Sequence, residues 1–309
     1  GSTVKPFLAL AGLDSGTVTK SRVVHDPGYY RLPNSSQVFR NWKRQGHGDT
    51  TLADAITLSS DTYFYEMAHN MGVRMMADYL RRFGFGSVTS LDVRDERSGI
   101  LPTPEWKRRV HGEPWYPGDS VNMGIGQGYF LATPLQLAAA TSVMASRGDR
   151  LAPRHLRSVD GELPAEHLLP DVVRPPLKLG RESDWEYVIE AMVEVVHGSD
   201  GTARGINRGL EYTMAGKTGT SQVFSLDGGE YDEDELEERM KDHGLFIAFA
   251  PEDDPEIAVS VLVENGGSGS SSAAPVAREV VDAWVNGFPE VMTPQALPGN
   301  MQQSELPDE

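Results

Sequence analysis

Apolar residues recur at helical spacing in several segments of the chain, and this spacing predicts a set of helices. Two local signals sharpen the boundaries. Thr133 followed by Pro134 is a typical helix start, because threonine caps free N–H groups and proline suits the first turn. Ser59, Ser60 and Asp61 predict a break between two helices. The predicted helices cover residues 3–13, 51–70 with that break, 73–83, 134–146, 183–197 and 275–286.

The last third of the chain carries the predicted strands. Residues 245–250 and 257–263 are short apolar runs joined by a turn rich in Pro and Asp, which predicts an antiparallel hairpin. Residues 214–224 predict a third strand. Because helices come first and antiparallel strands come late, we expect a mixed α/β (α+β) fold built on one antiparallel sheet. No repeat or linker interrupts residues 1–287, which predict a single domain.

Four segments lack a helical or strand period. Residues 22–50 and 86–122 are rich in Gly, Pro and aromatic residues and predict irregular structure. The acidic run at 226–243 predicts an exposed loop with a short helix, and the Pro-, Gln- and Glu-rich tail at 288–309 predicts disorder. The glycines of 124–128 predict tight turns, because this segment lacks the preceding strand and the lysine of a phosphate-binding loop.

Composition and charge exclude several classes of function. The chain has 309 residues, enough for a large core, and 45 acidic against 28 basic residues give a net charge of −17. This acidic balance disfavours nucleic acid as a partner. The absence of cysteine excludes disulfides, a thiolate nucleophile and cysteine-based metal sites. No stretch approaches the roughly 18–20 apolar residues of a membrane-spanning helix.

Three short motifs follow one another along the chain: S-x-x-K at residues 2–5, Ser-Ser-Asp at 59–61, and Lys-Thr-Gly-Thr at 217–220. Each by itself has an ordinary explanation. S-x-x-K arises by chance, Ser-Ser-Asp is a common helix cap, and Lys-Thr-Gly occurs in turns. The three together, at a helix start, a helix break and a predicted strand, favour a nucleophilic serine site.

The chemistry of such a site assigns a role to each motif residue. Ser2 is the candidate nucleophile, and a serine hydroxyl needs a base to take its proton. Lys5 lies three residues later, so on a helix it projects to the same face as Ser2. As a base Lys5 must be neutral, and burial together with the cation of Lys217 would lower its pKa. N–H groups at the helix start and the N–H of Thr220 suit a developing oxyanion.

The remaining motif residues suit substrate binding and proton transfer. The hydroxyls of Thr218 and Thr220, beside the cation of Lys217 and around Gly219, would bind a substrate carboxylate through charge-assisted hydrogen bonds. Ser59 would relay a proton between the two lysines and the leaving amine.

The chain resembles the penicillin-binding protein/serine β-lactamase superfamily, whose motifs are S-x-x-K, S-x-N and K-T-G. Within it, residues 1–287 resemble the elongation-type class B transpeptidases of the penicillin-binding protein 2 family. Asp61 in place of Asn fits the elongation type, as does the D-H-x-L-x-x-A-F-A-P pattern at 242–251. The stretches that carry the resemblance are GSTVKP, DPGYYRLP, NWKRQGHG, SSDTYFYEMA, ERSGILPTPEWK, PWYPGDSVNMGIGQGYFLATPLQ and KTGTSQVF.

This resemblance implies a function. Ser2 would attack the D-Ala–D-Ala bond of a peptidoglycan stem peptide, an amine of a second stem would resolve the acyl-enzyme, and β-lactams would acylate the same serine. Lys5, Ser59, Asp61 and Lys217 would complete the catalytic set, without a cofactor. The implied partners are a SEDS-type glycosyltransferase and other elongation-complex proteins, at the periplasmic face of the bacterial inner membrane.

The resemblance also implies a central antiparallel sheet flanked by helices, an all-helical subdomain, and a membrane helix, a pedestal and sheet strands that precede residue 1 and are missing from this chain. Some elongation-type members bind zinc through two Asp, a His and a Cys. The matching residues here are Asp26, Asn41, His47 and Ser60, and only Asp26 and His47 are suitable ligands. These residue types favour a hydrogen-bonded polar cluster over a metal site.

Two alternatives stay open at this point. A serine β-lactamase would need a fast deacylating base, and no recognisable motif supplies one. A non-catalytic penicillin-binding or interaction module is the other, although Ser2, Lys5, Ser59 and Lys217 are all intact.

Overall fold

The computed structural model describes residues 1–156, 173–222 and 241–287. A 3₁₀ turn at Ser2–Val4 leads into the first helix, and a second 3₁₀ turn lies at Arg204–Ile206. The α-helices in these ranges are α1 (Lys5–Asp14), α2 (Leu52–Thr57), α3 (Asp61–Met71), α4 (Val73–Arg82), α5 (Pro104–His111), α6 (Pro117–Met123), α7 (Pro134–Ala145), α8 (Ser183–His197) and α9 (Ala273–Val285). Within the described ranges, no helix has the length and apolar character needed to cross a membrane.

The strands form one three-stranded sheet and three short two-stranded sheets, all antiparallel. One pair joins residues 24–26 to residues 48–50, and the pair formed by residues 29–31 and 38–40 lies between them in sequence. The strands are β1 (Val24–Asp26), β2 (Tyr29–Arg31), β3 (Val38–Arg40), β4 (Gly48–Thr50), β5 (Arg150–Leu151), β6 (Val173–Arg174), β7 (Ala215–Ser221), β8 (His243–Ala250) and β9 (Ile257–Val263).

The three-stranded sheet has the order β7-β8-β9, with Lys217 opposite Ile247 and Ile247 opposite Ser260. Every residue of β8 from Gly244 to Ala250 is buried. Successive side chains of a strand point to opposite faces, so both faces of this sheet are covered. Helix α8 packs against β7, α7 against β8 and β9, and α9 against β8 and β9. Among the described strands, β7 is an edge strand, which leaves one side of its backbone open to a ligand.

Helix α1 forms the centre of the core. All of its residues from Lys5 to Leu13 are buried, as expected for a helix that is apolar on every side. Its Phe7 ring contacts Phe83 and Phe85, and Phe83 in turn contacts the fully buried Trp185 of α8. These contacts fix the position of the turn that precedes α1, and therefore of Ser2.

The fold class and most of the helices agree with the sequence-based predictions. The mixed α/β architecture with an antiparallel sheet and flanking helices is confirmed, and residues 183–197 form a helix with the predicted bounds. The predicted break at 59–61 separates α2 from α3. Strand β7 is shorter than predicted, Ala215–Ser221 instead of 214–224, of which 223 and 224 lie outside the described residues.

Two segments predicted to be irregular contain regular secondary structure. Residues 22–50 contain four strands of three residues each, which is too short for an alternating pattern to be recognised. Residues 86–122 contain α5 and α6, and α5 begins with a capping Thr103 and Pro104. The polar surface of α5, where Lys107 is the only buried residue, hid its period. The expectation of one sheet is also wrong, because short pairings add three more.

Two further predictions cannot be compared with the structure. The tail at 288–309, which the sequence predicts to be disordered, lies outside the described residues, as does most of the acidic run at 226–243.

Candidate active site

Ser2 lies at the first position of the 3₁₀ turn that precedes α1, and it is half-buried. The sequence predicted Ser2 and Lys5 on one helix, whereas Lys5 is the first residue of α1 and Ser2 belongs to the 3₁₀ turn. Residues three apart across a 3₁₀ turn lie on the same side, so this turn would still direct the Ser2 and Lys5 side chains to one face. The first N–H groups of a helix have no partner within it, so those near Ser2 are available to an oxyanion.

Lys5 is completely buried and connects the first motif to the second. Its Nζ donates to the Ser59 carbonyl oxygen at 2.9 Å and lies 3.3 Å from the Ser59 hydroxyl and 2.7 Å from Asp61 Oδ1. Burial lowers the pKa of Lys5, and the opposite charge of Asp61 only partly offsets it. Among the described residues no hydrogen bond joins the Ser2 hydroxyl to Lys5, whose donors serve the second motif.

The second motif occupies the break between α2 and α3. Ser59 has a positive φ of 57°, an uncommon conformation for a residue with a side chain, and it turns the Ser59 carbonyl toward Lys5. Ser60 caps α3, because its hydroxyl accepts from the Tyr63 N–H at 3.4 Å. Asp61 opens α3, and its Oδ2 accepts the Trp42 backbone N–H at 3.0 Å.

The third motif lies on edge strand β7. Lys217 is fully buried, and its Nζ donates to the Thr218 carbonyl oxygen at 3.1 Å. Burial holds the pKa of Lys217 well below its ordinary value, and the nearby charge of Lys5 lowers it further. The sequence predicted that Lys217 would depress the pKa of Lys5. Burial is the largest cause that lowers the pKa of both lysines, and the charges of Asp61 and Asp26 act on Lys5 in the opposite direction. The two buried ammonium groups also repel each other, so each disfavours the charged form of the other.

Gly219 allows the first motif to pack directly on the third. A Cβ at this position would lie 2.9 Å from Thr3 Cγ2 and 3.1 Å from the Thr3 backbone nitrogen. The turn that carries Ser2 therefore rests against the backbone of β7, and a side chain at residue 219 would push the two apart. This contact explains why the strand carries glycine between its two threonines.

Two residues that the sequence did not single out hold β7 in place. Gln127 Nε2 donates to the Thr220 carbonyl oxygen at 3.0 Å, and the Thr202 hydroxyl lies 2.7 Å from that of Thr218. Gln127 sits among the glycines that were predicted to form turns, and Gly126 indeed has a φ of +70°. A polar residue between two glycines is the sequence feature that could have identified Gln127 as part of the site. The sequence around Thr202 contains no such feature.

Asp26, Asn41, His47 and Ser60 form a buried polar cluster behind the second motif, which we call the Asp26 cluster. Asp26 Oδ2 accepts from Asn41 Nδ2 at 2.6 Å, His47 Nδ1 at 2.8 Å and Ser60 Oγ at 2.8 Å, while Oδ1 accepts the Gly28 N–H at 2.8 Å. Burial by itself raises the pKa of Asp26, but the donated hydrogen bonds outweigh it and hold the pKa below its ordinary value.

The Asp26 cluster does not fit a zinc ion. Zinc needs lone pairs from about four ligands aimed at one point. Here the groups nearest Asp26 donate hydrogen bonds to its carboxylate and therefore aim no lone pair at a shared metal position. The Asn41 carbonyl oxygen has a lone pair, but it accepts the Asp61 N–H at 3.2 Å. Within the described residues, no group of three or more His, Asp or Glu side chains is placed to hold a metal.

The structure therefore brings the three motifs into one place. Lys5 of the first motif contacts Ser59 and Asp61 of the second, and the turn carrying Ser2 packs on Gly219 of the third. A half-buried hydroxyl, a buried lysine of lowered pKa and an open strand edge can together support acyl transfer.

Comparison with known protein families places this site in a wider context. The family model described as penicillin binding protein transpeptidase domain matches residues 1–282. The chain is 42% identical over 286 residues to peptidoglycan D,D-transpeptidase MrdA of Haemophilus influenzae, and the aligned region covers 92% of the chain and 44% of the relative. It is 45% identical over 291 residues to MrdA of Acinetobacter baumannii, and the aligned region covers 92% of the chain and 42% of the relative. The chain thus spans less than half the length of these relatives.

Solved structures give the same picture. PBP2 of Pseudomonas aeruginosa, determined in complex with WCK 5153, is 45% identical and superposes with a TM-score of 0.81, over 92% of this chain and 58% of the other. PBP2 of Helicobacter pylori, determined in complex with MreC, is 30% identical with a TM-score of 0.80, over 94% of this chain and 50% of the other.

Proposed function

The chain belongs to the penicillin-binding protein transpeptidase family, and from this premise we propose that residues 1–287 form a peptidoglycan D,D-transpeptidase domain acting in cell elongation. In this proposal Ser2 is the nucleophile, and the catalytic set comprises Lys5, Ser59, Asp61 and Lys217. Thr218, Gly219 and Thr220 line the substrate groove.

One observation supports this proposal above all others. Lys5 Nζ lies within hydrogen-bond distance of both Ser59 and Asp61, while the turn that carries Ser2 packs against β7 at Gly219. Residues from three distant parts of the chain meet there around a buried lysine. A structural role alone would not require a second buried lysine, Lys217, near enough for the charge of Lys5 to lower its pKa.

Acylation is the first step of the proposed reaction. The Ser2 oxygen attacks the carbonyl carbon of the D-Ala–D-Ala peptide bond, and neutral Lys5 accepts the hydroxyl proton. The N–H groups of Ser2 and Thr220 stabilise the oxyanion. The bond to the terminal D-Ala nitrogen then breaks, and the proton returns through Ser59 to the leaving amine. The product is an ester between Ser2 and the stem peptide.

Transfer is the second step. The amine of a second stem peptide attacks the ester carbonyl and loses a proton to Lys5. The bond between the Ser2 oxygen and the carbonyl carbon breaks, and Ser2 recovers its proton. The new amide is the cross-link, and no cofactor takes part. A β-lactam enters at the first step and stops there, because its opened ring keeps the leaving nitrogen attached.

The substrate carboxylate provides the remaining recognition. Lys217, Thr218 and Thr220 present a cation and two hydroxyls along the open edge of β7, which suits the terminal carboxylate of a stem peptide or of a penicillin. A bound carboxylate would raise the lowered pKa of Lys217 and so favour its protonated form, since an opposite charge raises the pKa of an amine.

The partners we propose follow from relatives. MreC bound to PBP2 of H. pylori makes a similar elongation protein a candidate partner here, together with a SEDS-type glycosyltransferase. We place the domain at the periplasmic face of the inner membrane, where stem peptides are cross-linked.

The experiment that tests this function is covalent labelling with a fluorescent penicillin followed by intact mass measurement, with Ser2→Ala as the control. We expect one stable adduct on the parent chain and none on Ser2→Ala. Rapid loss of the adduct would favour a β-lactamase. If neither this chain nor a longer one with upstream sequence is labelled, the transpeptidase proposal is wrong and a non-catalytic module replaces it.

A further inference from the structure

The Asp26 cluster lies directly behind the second motif, and its connections lead to the catalytic lysine. We propose that Asp26 is a positioning residue that holds Asp61 and Ser59 against Lys5 through hydrogen bonds, without a metal ion. This inference rests on the proposed function, because it concerns the geometry of the same site.

The first connection runs through the Asn41 amide. The orientation of this amide is fixed, since the Asp26 carboxylate can only accept and the Asp61 backbone N–H can only donate. Asn41 Nδ2 therefore faces Asp26 Oδ2 at 2.6 Å, and Asn41 Oδ1 faces the Asp61 N–H at 3.2 Å. The charge of Asp26 is thereby tied to the backbone of the residue whose carboxylate binds Lys5 at 2.7 Å.

The second connection runs through Ser60. Its hydroxyl donates to Asp26 Oδ2 at 2.8 Å and accepts from the Tyr63 N–H, so it bridges the cluster to the first turn of α3. Ser60 stands between Ser59, which holds an uncommon positive φ, and Asp61. A conformation of this kind persists only when its surroundings enforce it. The hydrogen bond from Ser60 to Asp26 helps to hold the backbone conformation of Ser59, and so keeps the Ser59 carbonyl oxygen facing Lys5.

The third connection is the backbone of Trp42, the residue after Asn41. Its N–H donates to Asp61 Oδ2 at 3.0 Å, which leaves Oδ1 for Lys5. Its indole N–H lies 3.2 Å from the Ser59 carbonyl oxygen. The segment anchored to Asp26 by Asn41 therefore contacts both residues of the second motif that bind the lysine.

His47 completes the cluster as a donor. Its Nδ1 lies 2.8 Å from Asp26 Oδ2 and 3.1 Å from Asn41 Nδ2. A carboxylate can only accept, so Nδ1 carries the hydrogen and donates to Asp26. The Asp26 charge is thus compensated by four donors, from Asn41, His47, Ser60 and the Gly28 N–H. A buried carboxylate so satisfied needs no metal for charge balance.

The central test is D26N, which replaces an acceptor of four hydrogen bonds by a group that must itself donate. We expect the first-order rate constant of acylation by penicillin to fall about 10- to 100-fold, because small displacements of catalytic groups have effects of this size. The dissociation constant of the non-covalent complex should not change, since Asp26 does not touch the groove. A loss confined to the dissociation constant would overturn the proposal.

D14N is the matched control. Asp14, at the end of α1, is a partly buried carboxylate that, like Asp26, accepts hydrogen bonds, here from Tyr79 and the Gly180 N–H, but it lies away from the second motif. We expect D14N to lower the melting temperature and to leave acylation unchanged. The exchange variant D26N/N41D moves the carboxylate to residue 41, where it still accepts the Asp61 N–H, and it should recover part of the rate lost in D26N. Equal acylation in D26N and D14N would refute a positioning role.

Amide hydrogen exchange tests the same connections without catalysis. In D26N the Trp42 and Asp61 N–H groups should exchange at least about tenfold faster than in the parent, and in D14N they should not. If D26N does not fold, S60A, which removes a single donor, takes its place with a smaller expected effect. If penicillin labels neither the parent nor the longer chain, the proposed function fails, whereas unchanged exchange at these amides would independently overturn the inference.

A zinc titration tests the claim that the Asp26 cluster works without a metal ion. The parent should bind no stoichiometric zinc by calorimetry, and EDTA should change neither its melting temperature nor its acylation. N41D/S60C supplies a carboxylate and a thiolate at the two poor ligand positions and serves as the positive control. Zinc binding by the parent, with loss of acylation in EDTA, would overturn the inference.

Discussion

The ion pair between Lys5 and Asp61 sets the pH at which the proposed base becomes active, and Asp61→Asn tests this. Burial lowers the pKa of Lys5, while the carboxylate of Asp61 at 2.7 Å acts in the opposite direction. Lys5 works as a base only when neutral. Its neutral fraction rises as pH increases through the lowered pKa, so acylation should rise with pH along an acid limb. Without the Asp61 charge the pKa of Lys5 falls further, and this limb moves to lower pH.

The separation of the charges bounds the size of this effect. At an effective dielectric constant of about 20, two unit charges 2.7 Å apart attract by about 6 kcal/mol, equivalent to about 4–5 pKa units. This is an upper limit, because the Asp61 side chain is 10% exposed and the asparagine amide still offers a dipole to Lys5. Opposite charges at such distances usually shift a pKa by about 1–3 units. We therefore expect the midpoint of the acid limb to fall by about 1–3 pH units in Asp61→Asn.

The assay is the second-order rate constant of acylation by a fluorescent penicillin, measured by stopped flow between about pH 5 and about pH 9. This constant reports groups of the free enzyme. Because Lys5 and Lys217 are close enough to interact, the midpoint belongs to the pair, and the same comparison in a Lys217→Gln background isolates Lys5. An acid limb that stays in place or moves to higher pH would refute the reasoning.

Three further substitutions test the packing that builds the site. Gly219→Ala places a Cβ 2.9 Å from Thr3 Cγ2, so acylation should fall about 100-fold; an unchanged rate in the penicillin assay would show that this contact does not position Ser2. Gln127→Leu removes the hydrogen bond to the Thr220 carbonyl, and the second-order rate constant should drop about 2- to 10-fold without a change in the Ser2 adduct mass. Trp185→Ala empties a fully buried site and should cost about 3–5 kcal/mol in urea unfolding, whereas a loss below about 1 kcal/mol would contradict its place in the core.

Prediction of the fold from sequence succeeded where a segment is long and periodic. The helix at 183–197 shows a clear apolar face and was predicted with its observed bounds, and β9 (Ile257–Val263) was predicted likewise. The strands between residues 22 and 50 escaped prediction, because strands of three residues are too short to show a local period. Helix α5 escaped because tertiary contacts of Lys107, not an apolar face, anchor it.

For the site, the sequence alone named the residues that we propose as the reacting groups. The spacing of Ser2 and Lys5 and the residues Lys217 to Thr220 are local patterns, and local patterns are what a sequence displays directly. The sequence also indicated a polar cluster in place of a zinc site, since the donor atoms of Asn41 and Ser60 are fixed by residue type.

Only the tertiary structure decided which groups are in contact and which side chains have shifted pKa values. That Lys5 pairs with Asp61, and that burial lowers the pKa of both Lys5 and Lys217, depends on solvent access and on distances across the fold. The connection from Asp26 to Asp61 likewise joins residues brought together by folding. Electrostatic energies depend on separation and solvent access, and neither quantity is written in the order of residues along the chain.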